Sequence, residues 1–431
     1  MKSFVLFPAL ALLAAGAHAA SPTDAAFATL ADEYVADLAS LSPVNATLVG
    51  DHSADGELDE VDMAAREETL ALLKEYAAAL EALDFDALSR ANQVDAALFL
   101  HELESGIWNI ETLQEWAWNP LYYVSISGSG IYGLLSRDFA PLEDRLGSAA
   151  SRLEQLPRFF EQTRASLDPA RVPAVHAETA VQQNQGLNSI IDNMIVPHLD
   201  ALGAAERTRL EAAIETARNA IAEHQAWLED ELVPRAGGDF RIGKELYDAK
   251  LVFALNSPLS RKEIAARAER EYQEVRNRMY DVAKTIYADK YPMTAFPDDP
   301  DEAYRQAIIR AALEEAYQAL PPRDGIVEVA KQQLQQATDF VIEHNIVTMP
   351  EEPVEVIVMP EFQRGVSLAY LDPPGPLDRD QPAFYAVAPL PADWTDAQVE
   401  SFLREYNLYS LQDLTIHEGV PGHYLQLALS N

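Results

Sequence analysis

Near the end of the chain, two histidines and a glutamate have the types and spacing of a metal-assisted hydrolase. They lie in the run His417-Glu418-Gly419-Val420-Pro421-Gly422-His423. Neutral imidazoles bind Zn²⁺ at about 2.0–2.1 Å, and a carboxylate beside the first can take a proton from a metal-polarised water. The helical version of this chemistry places His at i and i+4, so that both rings leave one face. Here Pro421 occupies i+4 and the second His lies at i+6. At about 100° per residue, i+6 is roughly 120° round the helix from the first ring, so a straight helix aims the two apart. Pro421 has no N–H and its ring clashes with the carbonyl four residues back, that of His417. Gly419 and Gly422 admit unusual backbone angles. A kink or π-bulge at this step is the device that would bring both rings to one ion. On these residues alone two readings stay open: a metal site, or a helical His pair with a surface or core role.

The elements that must position this run are mostly long amphipathic helices. Apolar residues at helical spacing predict helices over 23–41, 59–83, 88–116, 141–167, 175–202, 204–232, 259–289, 301–320 and 323–344. The pair 175–202 and 204–232, joined around Gly203, is expected to pack antiparallel. The texture changes near Thr348. β-branched runs over 353–359, 366–371 and 383–388 read as three strands of a small sheet, with the Pro- and Gly-rich loop Asp372-Pro373-Pro374-Gly375-Pro376 after the second. Helical patterning returns over 395–406 and from Asn407 onward. The expected fold is mainly α, a long-helix array with a small β-sheet before the helix that carries the His-Glu-His run. The division is 1–19 as a leader, 20–347 as the helical region and 348–431 as sheet plus motif helix.

The chain has 431 residues, 48% hydrophobic, enough for a sizeable core. Lys2, the apolar run from Phe4 to Ala15 and the small-x-small triplet Ala17-His18-Ala19 read as a secretory signal cleaved after Ala19. No later stretch has the roughly 18 apolar residues of a membrane helix. No Cys follows the leader, so a lipid anchor is not expected; with no Cys anywhere, a metal would have to be held by His and carboxylates. A net charge of −37 repels phosphate backbones and anionic lipid, which argues against nucleic acid as a partner. The expected location is secreted or periplasmic.

The segment Thr415-Ile416-His417-Glu418-Gly419-Val420-Pro421-Gly422-His423-Tyr424-Leu425-Gln426 closely resembles the signature HE-x-x-PGH-x-x-Q of the bacterial domain-of-unknown-function family 885. That family looks like a branch of the zinc peptidases with a helical, carboxypeptidase-like fold. Ser42-Pro43 to Gly50, Ile131-Tyr132-Gly133 and the strand-loop-strand before the last helix are further landmarks of the resemblance. It implies that His417 and His423 are zinc ligands and that Glu418 is the general base. It also makes Gln426 a signature position without an assigned role, and 366–371 an edge strand that holds an extended peptide. The implied activity is that of a secreted zinc-dependent peptidase acting on short peptides, of carboxypeptidase or oligopeptidase type, in a channel walled by helices. The third zinc ligand implied is a Glu on a following helix. Only eight residues follow His423 and none is Asp, Glu or His. That ligand is therefore expected beyond residue 431, with the given chain an incomplete fragment. The alternative is a non-catalytic periplasmic helical protein that binds peptides.

Other candidates have weaker signals. Asp413 lies one turn before His417 and either orients its ring or is a solvated helix carboxylate. Tyr385 reads first as a half-buried strand tyrosine, and second as a residue lining a substrate cleft. Glu361 and Arg364 read first as surface residues, and second as groups that meet substrate termini.

Overall fold

The computed structural model describes residues 21–378 and 380–429, so the leader proposed over 1–19 lies outside the described residues. Helices are α1 (Pro22–Leu41), α2 (Pro43–Val49), α3 (Met63–Glu81), α4 (Arg90–Trp108), α5 (Pro120–Leu135), α6 (Leu142–Ser166), α7 (Ala174–Asn184), α8 (Gly186–Ile190), α9 (Ala204–Trp227), α10 (Val233–Arg235), α11 (Lys244–Leu255), α12 (Arg261–Lys290), α13 (Glu302–Ala316) and α14 (Ile326–Glu343). Strands β1 (Val354–Val358), β2 (Ala369–Asp372) and β3 (Ala383–Val387) follow. Then come α15 (Asp396–Glu405), α16 (Leu408–Glu418) and α17 (His423–Ala428). The fold is mainly helical with one small sheet, as the periodicity predicts.

Two expectations about helix pairing change. The predicted helix 175–202 is broken into α7, α8, a π turn and a 3₁₀ turn that holds Pro197. In consequence α9 does not pair chiefly with that segment. Its buried face (Leu210, Ala213, Ile214, Ala217, Ile221) packs on α6, whose Leu146, Leu153 and Leu156 are fully buried. Secondly, α5 is a helix that the amphipathic pattern does not show. Its sequence, PLYYVSISGSGIYGLL, is apolar or small all round because it is the central helix, covered by α2, α6, α7 and α8. Its small residues admit close neighbours: a Cβ on Gly128 would lie 2.2 Å from the Phe362 ring.

Arg152 of α6 ties this centre to the N-terminal segment. It is fully buried and donates to the carbonyls of Glu57 (2.8 Å), Gly130 (2.7 Å) and Pro43 (3.1 Å), and to Thr47 Oγ1 (2.7 Å). Burial pulls its pKa down to about 10, against the charges of Asp55, Asp59 and Glu57, so it stays cationic at neutral pH. Arg152→Met removes every one of those donors from a site water cannot enter. Chemical denaturation should show a loss of about 3–5 kcal/mol. A loss below about 1 kcal/mol would mean that the buried network contributes little.

The sheet has the order β1-β3-β2, with β1 parallel and β2 antiparallel to β3. Tyr385 pairs with Val356 on one side and Leu371 on the other, and these side chains face α14 and α16. The opposite face, with Phe384, lies towards α5, where the Arg137 guanidinium sits 4.6 Å above the Phe384 ring. Arg137 also donates to the carbonyls of Asp372 (2.8 Å) and Pro382 (3.1 Å), clamping both ends of the β2–β3 loop. The tip of that loop is held from the N-terminal side. Leu377 donates its N–H to Val49 O (3.0 Å), and His52, stacked on Phe139, bridges Asp378 (3.0 Å) and Asp55 (3.1 Å). The segment from Ser42 to Gly50, singled out in the sequence, thus supports the loop beside the motif.

Candidate metal centre

Helix α16 is built to hold one face against the sheet. Asn407 caps its start, its Oδ1 accepting from the N–H groups of Tyr409 (3.0 Å) and Ser410 (3.3 Å). Leu411 and Thr415, one turn apart, are fully buried, while His417 looks outward and Glu418 is half-buried. Tyr385 of β3 reaches the same inner face, its hydroxyl 3.2 Å from Thr415 Oγ1. Gln333 of α14 donates to Leu408 O (2.7 Å) and secures the start of the helix.

The helix then stops, which differs from the kink or bulge expected. It ends at Glu418, four residues turn through a cis Val420–Pro421 peptide, and α17 begins at His423. The Gly422 N–H donates to Ile416 O (3.0 Å), which folds the turn back on the helix it has just left. A Cβ on Gly422 would lie 1.8 Å from His417 O, so only glycine fits there. Val420 is fully buried and Tyr424 nearly so, both packed with Leu334, Val341 and Ala383. The Tyr424 hydroxyl donates to Glu352 O. Thr415 pins the turn on one side, Val420 and Tyr424 on the other. The intervening His417, Glu418 and His423 are left on the outer side.

The consequence is convergence. The imidazoles of His417 and His423 have centroids 4.8 Å apart and planes at 89°. Ligand atoms of His417, Glu418 and His423 all lie within 4.8 Å of one another. The i, i+6 spacing that a straight helix cannot use becomes workable because the helix is broken between the two histidines. Gln426, the signature position without a role, accepts from Nδ1 of His423 (3.0 Å). That bond fixes the ring and leaves Nε2 with a free lone pair.

The four other candidates take the structural or surface places open to them, not places in a substrate site. Asp413 is exposed and makes no hydrogen bond to His417; the partner that orients an imidazole here is Gln426, on His423. Tyr385 lines no cleft. It lies on the central strand, covered on both faces and fully buried, and it anchors α16 through Thr415. Burial, reinforced by the charge of Glu418 and opposed by the Thr415 hydrogen bond, pushes its hydroxyl up to about 12, so it stays protonated. Glu361 and Arg364 sit in and just after a short 3₁₀ turn following β1, where Glu361 accepts from Ser189 and Arg364 donates to Met359 O (2.9 Å). The edge strand expected over 366–371 is shorter and later, β2, but it does stand at an edge.

No enclosing channel surrounds the cluster among the described residues, since His417 is exposed. A cavity of about 450 Å³ lies behind α17, lined by Glu352, Leu371, Pro373, Gln381 and Tyr424. The anchors Thr415, Val420 and Tyr424 were not singled out in the sequence. The alternation of buried and outward residues on both sides of the Pro-Gly step was the signal available for them.

Residues 43–431 match the profile of a family described as "Bacterial protein of unknown function (DUF885)". A solved structure described as that of "a putative lipoprotein of unknown function from Shewanella oneidensis" is similar to this chain at 32% sequence identity and a TM-score of 0.70. The match covers 96% of this chain and 72% of that one. No curated protein matches the chain.

Proposed function

Since the chain belongs to DUF885, a family of bacterial proteins of unknown function, we propose a reading that rests on its site: a zinc-dependent peptidase acting on short peptides outside the cytoplasm. The observation that carries this reading is the convergence of two imidazoles and one carboxylate within 4.8 Å. Two neutral nitrogen donors of this kind, one already fixed through its other nitrogen, suit a borderline divalent cation such as zinc. Tetrahedral ligand atoms around zinc stand about 3.3 Å apart at such bond lengths. Small side-chain rotations would bring the rings from the observed spacing to that one.

His417 and His423 would hold the ion. The ion when bound would supply Lewis acidity to a water molecule and to the scissile carbonyl. Glu418 takes the proton from the attacking water as the new C–O bond forms, and then passes it to the amine nitrogen as the C–N bond breaks. Tyr385 and Thr415 hold the helix that presents Glu418. The edge position of β2 suits main-chain pairing with an extended substrate. No helix among the described residues is long and apolar enough to cross a membrane. Export is supported by the leader-like residues 1–19 and by the description of the Shewanella oneidensis relative as a putative lipoprotein.

The test is chelator-sensitive cleavage of short peptides, with activity restored by added zinc. Cleavage that is unaffected by a strong chelator would overturn the proposal. Gln426→Ala should weaken zinc binding by about 10–100-fold, the usual effect of removing a group that orients a ligating imidazole. An unchanged affinity in a zinc titration would remove Gln426 from the site.

A further inference from the structure

One long helix leaves an apolar stripe uncovered. In α12, Tyr272, Val275, Met279, Val282 and Ile286 recur at alternating steps of three and four and are between 37 and 61% exposed. Ala265 and Ala268 extend the same stripe towards the helix start. This is the a/d spacing of a two-helix seam. The face of α12 that is covered carries Tyr280, Ala283 and Tyr287 and packs on α13 with Ile308, Ile309 and Ala312. At 100° per residue, the stripe and the α13 face point about 90° apart. That is the angle at which one helix of a four-helix bundle meets its two neighbours.

We propose that α12 is a dimerisation helix, pairing antiparallel with α12 of a second copy of this chain through the stripe centred between Tyr272 and Val275. Size and charge both favour this occupant and this direction. In the antiparallel register Tyr272 faces Val275 of the second copy, Met279 faces Ala268 and Val282 faces Ala265, so each of these layers sets a larger side chain against a smaller one, while Ile286 lies past the paired layers, opposite Arg261. The residues flanking the stripe are Glu269 and Glu271 towards one end, Arg276 and Arg278 towards the other. Turned end to end, Glu271 meets Arg278 twice by symmetry, and Glu269 comes beside Arg276. A parallel pair would retain only the Glu271–Arg276 contacts. The charge match also opposes the repulsion between two chains that each carry −37. Arg278 is exposed, and among the described residues its ion-pair contact is the long one to Glu274 at 3.9 Å. Arg276 already braces α13 through Glu302 and Gln306.

The absence of cysteine in the chain makes the test direct. Ala265→Cys and Val282→Cys are purified separately, then oxidised alone and as a mixture. The antiparallel register predicts a disulfide-linked dimer from the mixture, with little from either alone, because like positions then stand about 25 Å apart. Light scattering of the unmodified protein should give a dimer at tens of micromolar, and Val282→Asp should give a monomer with unchanged helical circular dichroism. A monomeric unmodified protein, its stripe covered by some other part of the chain, would overturn the proposal. So would cross-linking of each variant with itself, which is the signature of a parallel pair, or a Val282→Asp variant that remains dimeric.

Discussion

Glu418→Gln is expected to keep its zinc and to lose peptide hydrolysis by about 10²–10⁴-fold, the range that a positioned general base contributes. The substitution is nearly isosteric and leaves both imidazoles, the Gly422 turn and the Thr415 anchor in place, so metal affinity should move little. The amide cannot accept the proton of the attacking water at neutral pH. The same variant separates the enzyme from its alternative, a non-catalytic peptide-binding protein, because peptide affinity would survive while turnover disappears. If Glu418→Gln retained full turnover, the base would have to be another group. If it lost zinc along with turnover, Glu418 would be a ligand and not the base.

The second large effect is expected from Gly422→Ala. A Cβ at this position would meet His417 O at 1.8 Å, His417 C at 2.4 Å and Ile416 O at 2.4 Å. All three are backbone atoms of the helix that carries the first ligand, so no side-chain rotation relieves the overlap. The turn must open, and the Gly422–Ile416 hydrogen bond goes with it. Since α17 starts at the next residue, the imidazole of His423 moves away from that of His417. Zinc affinity should fall by at least the 10–100-fold that loss of a supporting residue costs. The rest of the fold, anchored by Leu411, Thr415 and Tyr424, should persist by circular dichroism. Gly147→Ala is the control: nothing lies within 4 Å of a Cβ there, in the second turn of α6, and a gain of about 0.5–1 kcal/mol is expected. Undiminished zinc binding by Gly422→Ala would show that the turn does not set the spacing of the two rings.

The sequence was readable wherever the physics was local or periodic. Amphipathic helices such as α3, α6, α12 and α14 announce themselves through one apolar face, and Pro-Gly steps mark the β2–β3 loop. Helix α5 was hidden because a helix buried on all sides has no polar face to alternate with, and its Ser and Gly residues mimic a loop. The pairing of α9 with α6 is a tertiary choice between two apolar faces, which spacing along the chain cannot settle. At the site itself, the sequence singled out His417, Glu418 and His423 and showed that a straight helix would separate the two rings. It did not show that the helix ends at Glu418 and starts again at His423. That outcome depends on Val420 and Tyr424 finding a core made by α14 and β3, far away in the chain. The full burial of Tyr385 was out of reach for the same reason: β3 is the middle strand, and strand order is not written in any one strand. Gln426 became interpretable only when the new helix placed it one turn from the Nδ1 of His423.

On the proposed reading His417 and His423 close on one metal ion. Isothermal titration of zinc into the metal-stripped protein at neutral pH, run beside His417→Ala and His423→Ala, measures that closure. About one equivalent of zinc is expected for the unmodified protein and a loss of that site in each variant, with the helical circular dichroism of all three unchanged. Zinc bound equally well by all three proteins, or no zinc bound by any of them, would contradict it.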